Sequence, residues 1–174
     1  MLSYLWDLHL NDPTLRAVEA FLRPTVFGEF MRNSRWAWPI CESLHFTGMS
    51  VRGGVIGLFD LRLLGFARAV PLLALHRLIP LGVAGFVVNA CTGFLFLSGT
   101  PDQYLFNLAF RWKVVFLFIA GVNVLVFYTA TFNRLLELAP SQAPPLAARL
   151  AGGVSLCAWI GVMAAGRLLT FFRP

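Results

Sequence analysis

Charge is scarce in this chain: Asp, Glu, Lys and Arg make up only 13% of its residues. A soluble domain usually carries about 25%. With 174 residues and 58% of them hydrophobic, too little polar surface is left to cover a globule in water. A mean hydropathy of +0.73 points the same way, to lipid as solvent for much of the surface. Cysteine is also sparse. Cys41, Cys91 and Cys157 each stand alone in a different apolar segment, without the CxxC spacing of a zinc ribbon or redox dithiol. There is no basic run with interleaved aromatics, so the net charge of +6 does not indicate nucleic acid. The basic residues instead flank apolar stretches, as in membrane proteins. Met1-Leu2-Ser3-Tyr4 offers neither a basic n-region nor a small-residue cleavage site, so no removable signal peptide is expected. Paired carboxylates, a phosphate loop and a nucleophile–base set are all lacking, so the sequence gives no reason to expect an enzyme on its own.

What is present is a series of apolar stretches long enough to cross about 30 Å of hydrocarbon. They cover residues 36–64, 71–98, 110–132 and 149–172. Short connections at 65–70, 99–107 and 133–148 lead to an all-α fold, an integral membrane four-helix antiparallel bundle with both termini on one side. The connection at 99–107 reads as a turn and the one at 133–148, with Pro140, Pro144 and Pro145, as a loop. Residues 1–35 differ in character. Asn11-Asp12-Pro13 is a capping signal. Leu15, Val18, Phe21 and Leu22 then share one face opposite Arg16, Glu19 and Arg23, the pattern of an interfacial amphipathic helix ended by Pro24. Phe27, Phe30 and Met31 indicate a second short surface segment, and the leader Met1 to Leu10 alternates apolar residues suited to an interface or a partner subunit. The expected location is a bacterial inner membrane. Flanking charge differs little between the two ends, with a lean to periplasmic termini because the first connection is short and carries Arg62 and Arg68.

The first stretch carries the chemistry. At 100° per residue, Glu42, His45, Met49, Arg52 and Asp60 fall on one face. Ionisable groups at mid-membrane cost at least ~2.5–3.5 kcal/mol each, so they turn inward and find partners. Arg52 stands ten residues from Glu42 and eight from Asp60, about 15 and 12 Å along a helix, too far to pair with either. The other three stretches hold no carboxylate. Matching depths brings His45 level with Asn89, Thr92, Lys113, Met163 and Arg167. With Arg52, these residues are expected to make an electropositive pocket for a haem propionate, a quinone carbonyl or a lipid phosphate. The other reading of the same residues is a structural Arg52 with Lys113 and Arg167 reaching out to the membrane surface. His45 admits three readings: a hydrogen-bonded structural residue, a haem ligand, or a soft-metal ligand with Cys41 and Met49 at i, i+4, i+8. His76 lies roughly 20 Å away in depth, which disfavours bis-histidine ligation. Asp60 is expected to cap its helix or pair with Arg68 or Arg77, and Gly48, Gly53, Gly54 and Gly57 to allow close helix approach.

Trp38-Pro39, Leu44-His45-Phe46-Thr47-Gly48, Asp60-Leu61-Arg62-Leu63-Leu64-Gly65, Thr92-Gly93, Lys113 with Asn123, and Gly166-Arg167-Leu168 resemble an uncharacterised family of small bacterial inner-membrane proteins. More distantly, Leu44-His45 followed by glycines is similar to copper-resistance D-like proteins, cytochrome b561-like bundles and haem-binding membrane protoporphyrinogen oxidases. Those relatives imply redox or metal work at the bilayer, with haem b, a quinone or copper as ligand, although the further in-span histidines of the cytochrome pattern are absent. The resulting expectation is a membrane subunit or anchor of a redox system, in contact with membrane lipid and with other membrane or periplasmic subunits. Its rivals are a non-catalytic accessory subunit of a respiratory or photosynthetic complex, and a copper or small-solute transporter.

Overall fold

The computed structural model describes residues 12–66, 69–136 and 142–171. The leader Met1 to Leu10, His9, Arg68, Pro140 and Arg173 lie outside the described residues. Among those described there is helix and no strand. In chain order the helices are α1 (Pro13–Leu22), α2 (Val26–Asn33), α3 (Ala37–Leu63), α4 (Leu72–His76), α5 (Ile79–Gly99), α6 (Pro101–Leu105), α7 (Leu108–Val126), α8 (Phe132–Leu136) and α9 (Leu146–Leu168). A π-helical turn, Phe127–Thr131, joins α7 to α8 without a break.

Among the described residues three helical stretches are long and apolar enough to cross a membrane: Leu72–Gly99, Leu108–Leu135 and Leu146–Leu168. They match three of the four stretches expected, with the third running a turn further at its end. The 27-residue α3 is long enough but is not among them. Glu42, Arg52, Asp60, Arg62 and His45 make it too polar to qualify by composition. Only its length speaks for a fourth crossing.

Contacts pair α3 with α5 in opposite directions: Trp38 stacks on Phe96 and His45 bonds Thr92, while Phe59 meets His76 of α4, just ahead of α5. Arg52 and Asp60 of α3 reach Trp159 and Ser155 of α9, again in opposite sense. On its other side, α9 takes Phe116 and Asn123 of α7 against Gly161 and Ala151. One end of this assembly, end A, holds the starts of α3 and α7 with the finishes of α5 and α9; the opposite end is end B. Each end has its own apolar cluster. At end A it is Met31, Ala37, Cys41 and Phe96; at end B it is Phe59, Leu63, Leu75, Phe127, Leu135 and Ala148. Polar residues occupy the level between them.

The helices approach closely where glycine leaves room. A Cβ on Gly85 would stand 2.8 Å from the Gly48 carbonyl oxygen and 3.1 Å from the Arg52 nitrogen, and one on Gly152 would stand 2.9 Å from the Asp60 carbonyl oxygen. Gly48 therefore serves as expected. Gly53, Gly54 and Gly57 do not: a Cβ there would meet nothing within 4 Å, because they sit on the outer side of α3. A helix position one residue off the contact line faces 100° away, which glycine spacing alone does not reveal.

The N-terminal arm docks on end A. Asp12 caps α1, with Pro13 in its first turn; bonds from the Thr14 hydroxyl and N–H hold the Asp12 carboxyl below the usual range. Val18 and Phe21 stay exposed while Leu22 is buried. Arg23 pairs with Glu19 at 3.0 Å and with Asp102 at 3.4 Å, and Arg16 lies over the Phe106 ring. The second segment is less superficial than expected. Met31 is fully buried against Gly99, and Arg32 donates to the carbonyls of Ser98, Gly99 and Arg23. The connection expected to be a plain turn holds α6, which α1 and Arg23 meet through Asp102 and the adjoining Phe106. Arg32 and α2 thus satisfy carbonyls at the end of α5 that no further helical turn supplies.

Gly85→Val drives a branched side chain into the α3 backbone and is expected to cost about 1–3 kcal/mol. The readout is a lower unfolding midpoint for the detergent-solubilised chain. Gly53→Ala and Gly54→Ala, which point into open space, should leave that midpoint unchanged or raised.

Candidate functional site

Between the two apolar clusters, α3 projects His45 and Arg52 toward α5, α7 and α9. The imidazole of His45 contacts the Thr92 hydroxyl through Nδ1 at 2.7 Å and meets the Phe96 ring edge-on. Thr92 has one hydroxyl proton and gives it to the Val88 carbonyl at 2.7 Å, as helical threonines do. It must therefore accept from His45, which places the ring proton on Nδ1 and leaves Nε2 with a free lone pair. Asn89, one helical turn before Gly93, donates from Nδ2 to the His45 carbonyl at 2.7 Å. Its Oδ1 is buried with no partner and lies beside Gly48.

Arg52 is the least expected feature. It is only 3% exposed, and Nε and Nη1 find no hydrogen-bond partner. The guanidinium carbon instead lies over the Trp159 ring, 3.7 Å from its centroid. Such a contact is worth roughly 2 kcal/mol when desolvated, which offsets part of the burial cost. None of the three ion pairs among the described residues includes Arg52; all three belong to the arm. Lys113 of α7 stands beside Gly166 of α9, where an added Cβ would lie 3.8 Å from the lysine Nζ. Arg52 and Lys113 are near enough to His45, and to each other, for their charges to act across the gap. Two cations and a neutral imidazole acceptor thus converge from α3 and α7.

Of the residues expected to share this site, His45, Arg52, Asn89 and Lys113 are brought together. Met163 and Arg167 are not: both are exposed on the outer side of α9, whose inward positions are Ala158, Val162 and Ala165. Depth matching sorted them correctly by level and wrongly by face, since depth carries no rotational information. Cys41 is buried with Sγ 3.8 Å from Met31 Sδ, while Cys91 and Cys157 are exposed. No group of three His, Cys, Asp or Glu residues that could hold a metal occurs among the described residues. His76 sits at end B, stacked on Phe132 and bonded to the Tyr128 hydroxyl at 3.1 Å. It is no second ligand for an iron at His45.

Asp60 is likewise 3% exposed. Ser155 hydrogen-bonds its carboxyl, and Oδ2 has no partner. No ion pair links it to Arg77, and Arg62 donates instead to the Val70 carbonyl at 2.9 Å. Trp159 and Ser155 escaped sequence reasoning. Trp159 does stand near the middle of α9, at the level of Arg52, but a search for oxygen partners passes over an aromatic face.

No protein-family profile, curated protein or solved structure matches this chain.

Thr92→Val removes the acceptor for Nδ1–H and should cost about 1 kcal/mol. Nitrogen-15 NMR of the His45 ring is expected to show an Nδ1-protonated tautomer in the parent protein and a shift toward the Nε2-protonated form in the variant.

Proposed function

We propose that this chain is an integral membrane subunit of a redox system, crossing the bilayer four times and holding a quinone-type headgroup at the Arg52–Lys113–His45 site. The observation that carries the reading is the buried guanidinium of Arg52, whose Nε and Nη1 have no hydrogen-bond acceptor. Helix α3 is polar on the side that α5 and α9 cover, and its 27 residues match the length of its neighbours, which supports its being the fourth span. A carbonyl or phenolate oxygen would satisfy Arg52 Nε and Nη1, with Lys113 as a second donor. The free Nε2 of His45 would accept from a hydroxyl at the reduced end of such a ligand. Haem fits these residues less well, because one imidazole is the only nitrogen ligand they offer and His76 is engaged elsewhere.

Catalysis, on this reading, belongs to the assembly and not to the chain alone, and other subunits would deliver or remove electrons. The exposed apolar arm supports membrane and subunit contacts: Phe21, Val26, Phe27 and Phe30 all face outward, with Trp36 beside them. The docked arm also bears on orientation. It brings Arg16 and Arg23 to end A, beside Arg32, Arg35, Arg111, Lys113 and Arg167, while Arg62, Arg77, Arg134 and Arg149 mark end B. That excess favours end A, and with it the termini, on the cytoplasmic side of a bacterial inner membrane, opposite to the sequence-based lean.

The test is equilibrium binding of a short-tailed quinone to the purified chain in mild detergent, with an absorption spectrum and metal analysis on the same sample. One quinone per chain is expected, with affinity at least tenfold weaker for Arg52→Gln and for Lys113→Met at unchanged helicity. No quinone bound, or equal binding by Arg52→Gln, contradicts the proposal; a reduced α-band with stoichiometric iron would replace quinone by haem.

A further inference from the structure

Away from the Arg52 site, α7 and α9 leave a furrow of about 570 Å³ on the outer surface in the B half. Its walls include Leu64, Phe116, Ile119, Leu150 and Val154, and its single charged residue is Arg149. A second furrow of about 310 Å³ shares Ile119 and Val154 with it, so the apolar surface continues across α7. Along α9 the larger furrow runs from Leu146 to Ala158, about 18 Å at helical rise. That is close to half of a ~30 Å hydrocarbon core, the depth of one leaflet.

Arg149 sits at the end-B mouth, in the first turn of α9. It is exposed and belongs to none of the ion pairs among the described residues. The helix begins after Pro145, which provides no side-chain cap. A one-leaflet apolar channel with a cation at the headgroup level matches a lipid that has an acyl chain and a negative head. A protein helix would be a poor occupant, since it would leave Arg149 opposite apolar side chains.

We propose that this furrow is a binding site for one anionic phospholipid, its acyl chain lying along α7 and α9 and its phosphate on Arg149. The site depends on the chain being embedded in a membrane and is independent of what occupies the Arg52 site. It would fix one lipid at the seam where α7, α9 and the end of α3 meet.

The test uses the full chain in nanodiscs of equal phosphatidylglycerol and phosphatidylcholine, extracted into mild detergent and weighed by native mass spectrometry. One phosphatidylglycerol should be retained per chain, in at least fivefold preference over phosphatidylcholine. Arg149→Gln should abolish the preference, and Val154→Trp, which fills the furrow from an exposed position, should remove the retained lipid. Arg134→Gln, an exposed arginine at the same end but outside the furrow, should change nothing. Equal retention of both lipids, full retention by Arg149→Gln, or a second copy of the chain in place of lipid overturns the proposal.

Discussion

A guanidinium placed halfway along a helix, with no carboxylate beside it, is the constraint to which the rest of this structure answers. Arg52 keeps its charge at any ordinary pH. It therefore has to be given some electrostatic partner where its neighbours bury it. Trp159 provides a π face, and the Gly48–Gly85 approach draws α5 against α3 next to the arginine. The apolar clusters at either end then close the polar level from above and below. Remove this requirement and α3 has little reason to differ from the three helices around it.

The same constraint explains how the functional reading arises. Lys113 adds a second cation to the level instead of cancelling the first, and Asn89 donates to a carbonyl while its oxygen stays unused. Such a level is costly unless something with acceptor oxygens enters it. The quinone headgroup proposed for the site would meet that need with little bulk. The Arg149 furrow differs in kind. It is shallow, apolar and open to the outside, so its cation meets the headgroup layer and not the interior.

Much of the architecture was legible in the residues. Long apolar runs announce α5, α7 and α9, and Asp12-Pro13 announces α1, because each depends on local rules of composition and capping. The inward turn of His45 and Arg52 was legible too, since charge in an apolar helix has only one comfortable direction. What escaped depends on rotation and on unusual partners. Arg167 and Met163 share the level of the site yet face away, and Gly53, Gly54 and Gly57 miss the contact line. Met31 reads as a surface residue until the end of α5 and the start of α3 close over it. The Trp159 contact was hidden because polar side chains alone do not point to an aromatic ring.

The central claim is that α3 crosses the membrane although its composition is too polar to do so alone. Labelling of single cysteines by a membrane-impermeant maleimide decides it most directly, with Cys41, Cys91 and Cys157 first replaced by serine or alanine. Cysteines placed at Ser34, before α3, and at Phe66, after it, are compared in intact cells and in opened membranes. A crossing α3 predicts that the two positions react from opposite sides of the membrane. Reaction of both from the same side would contradict it, and would take the Arg52 site out of the bilayer.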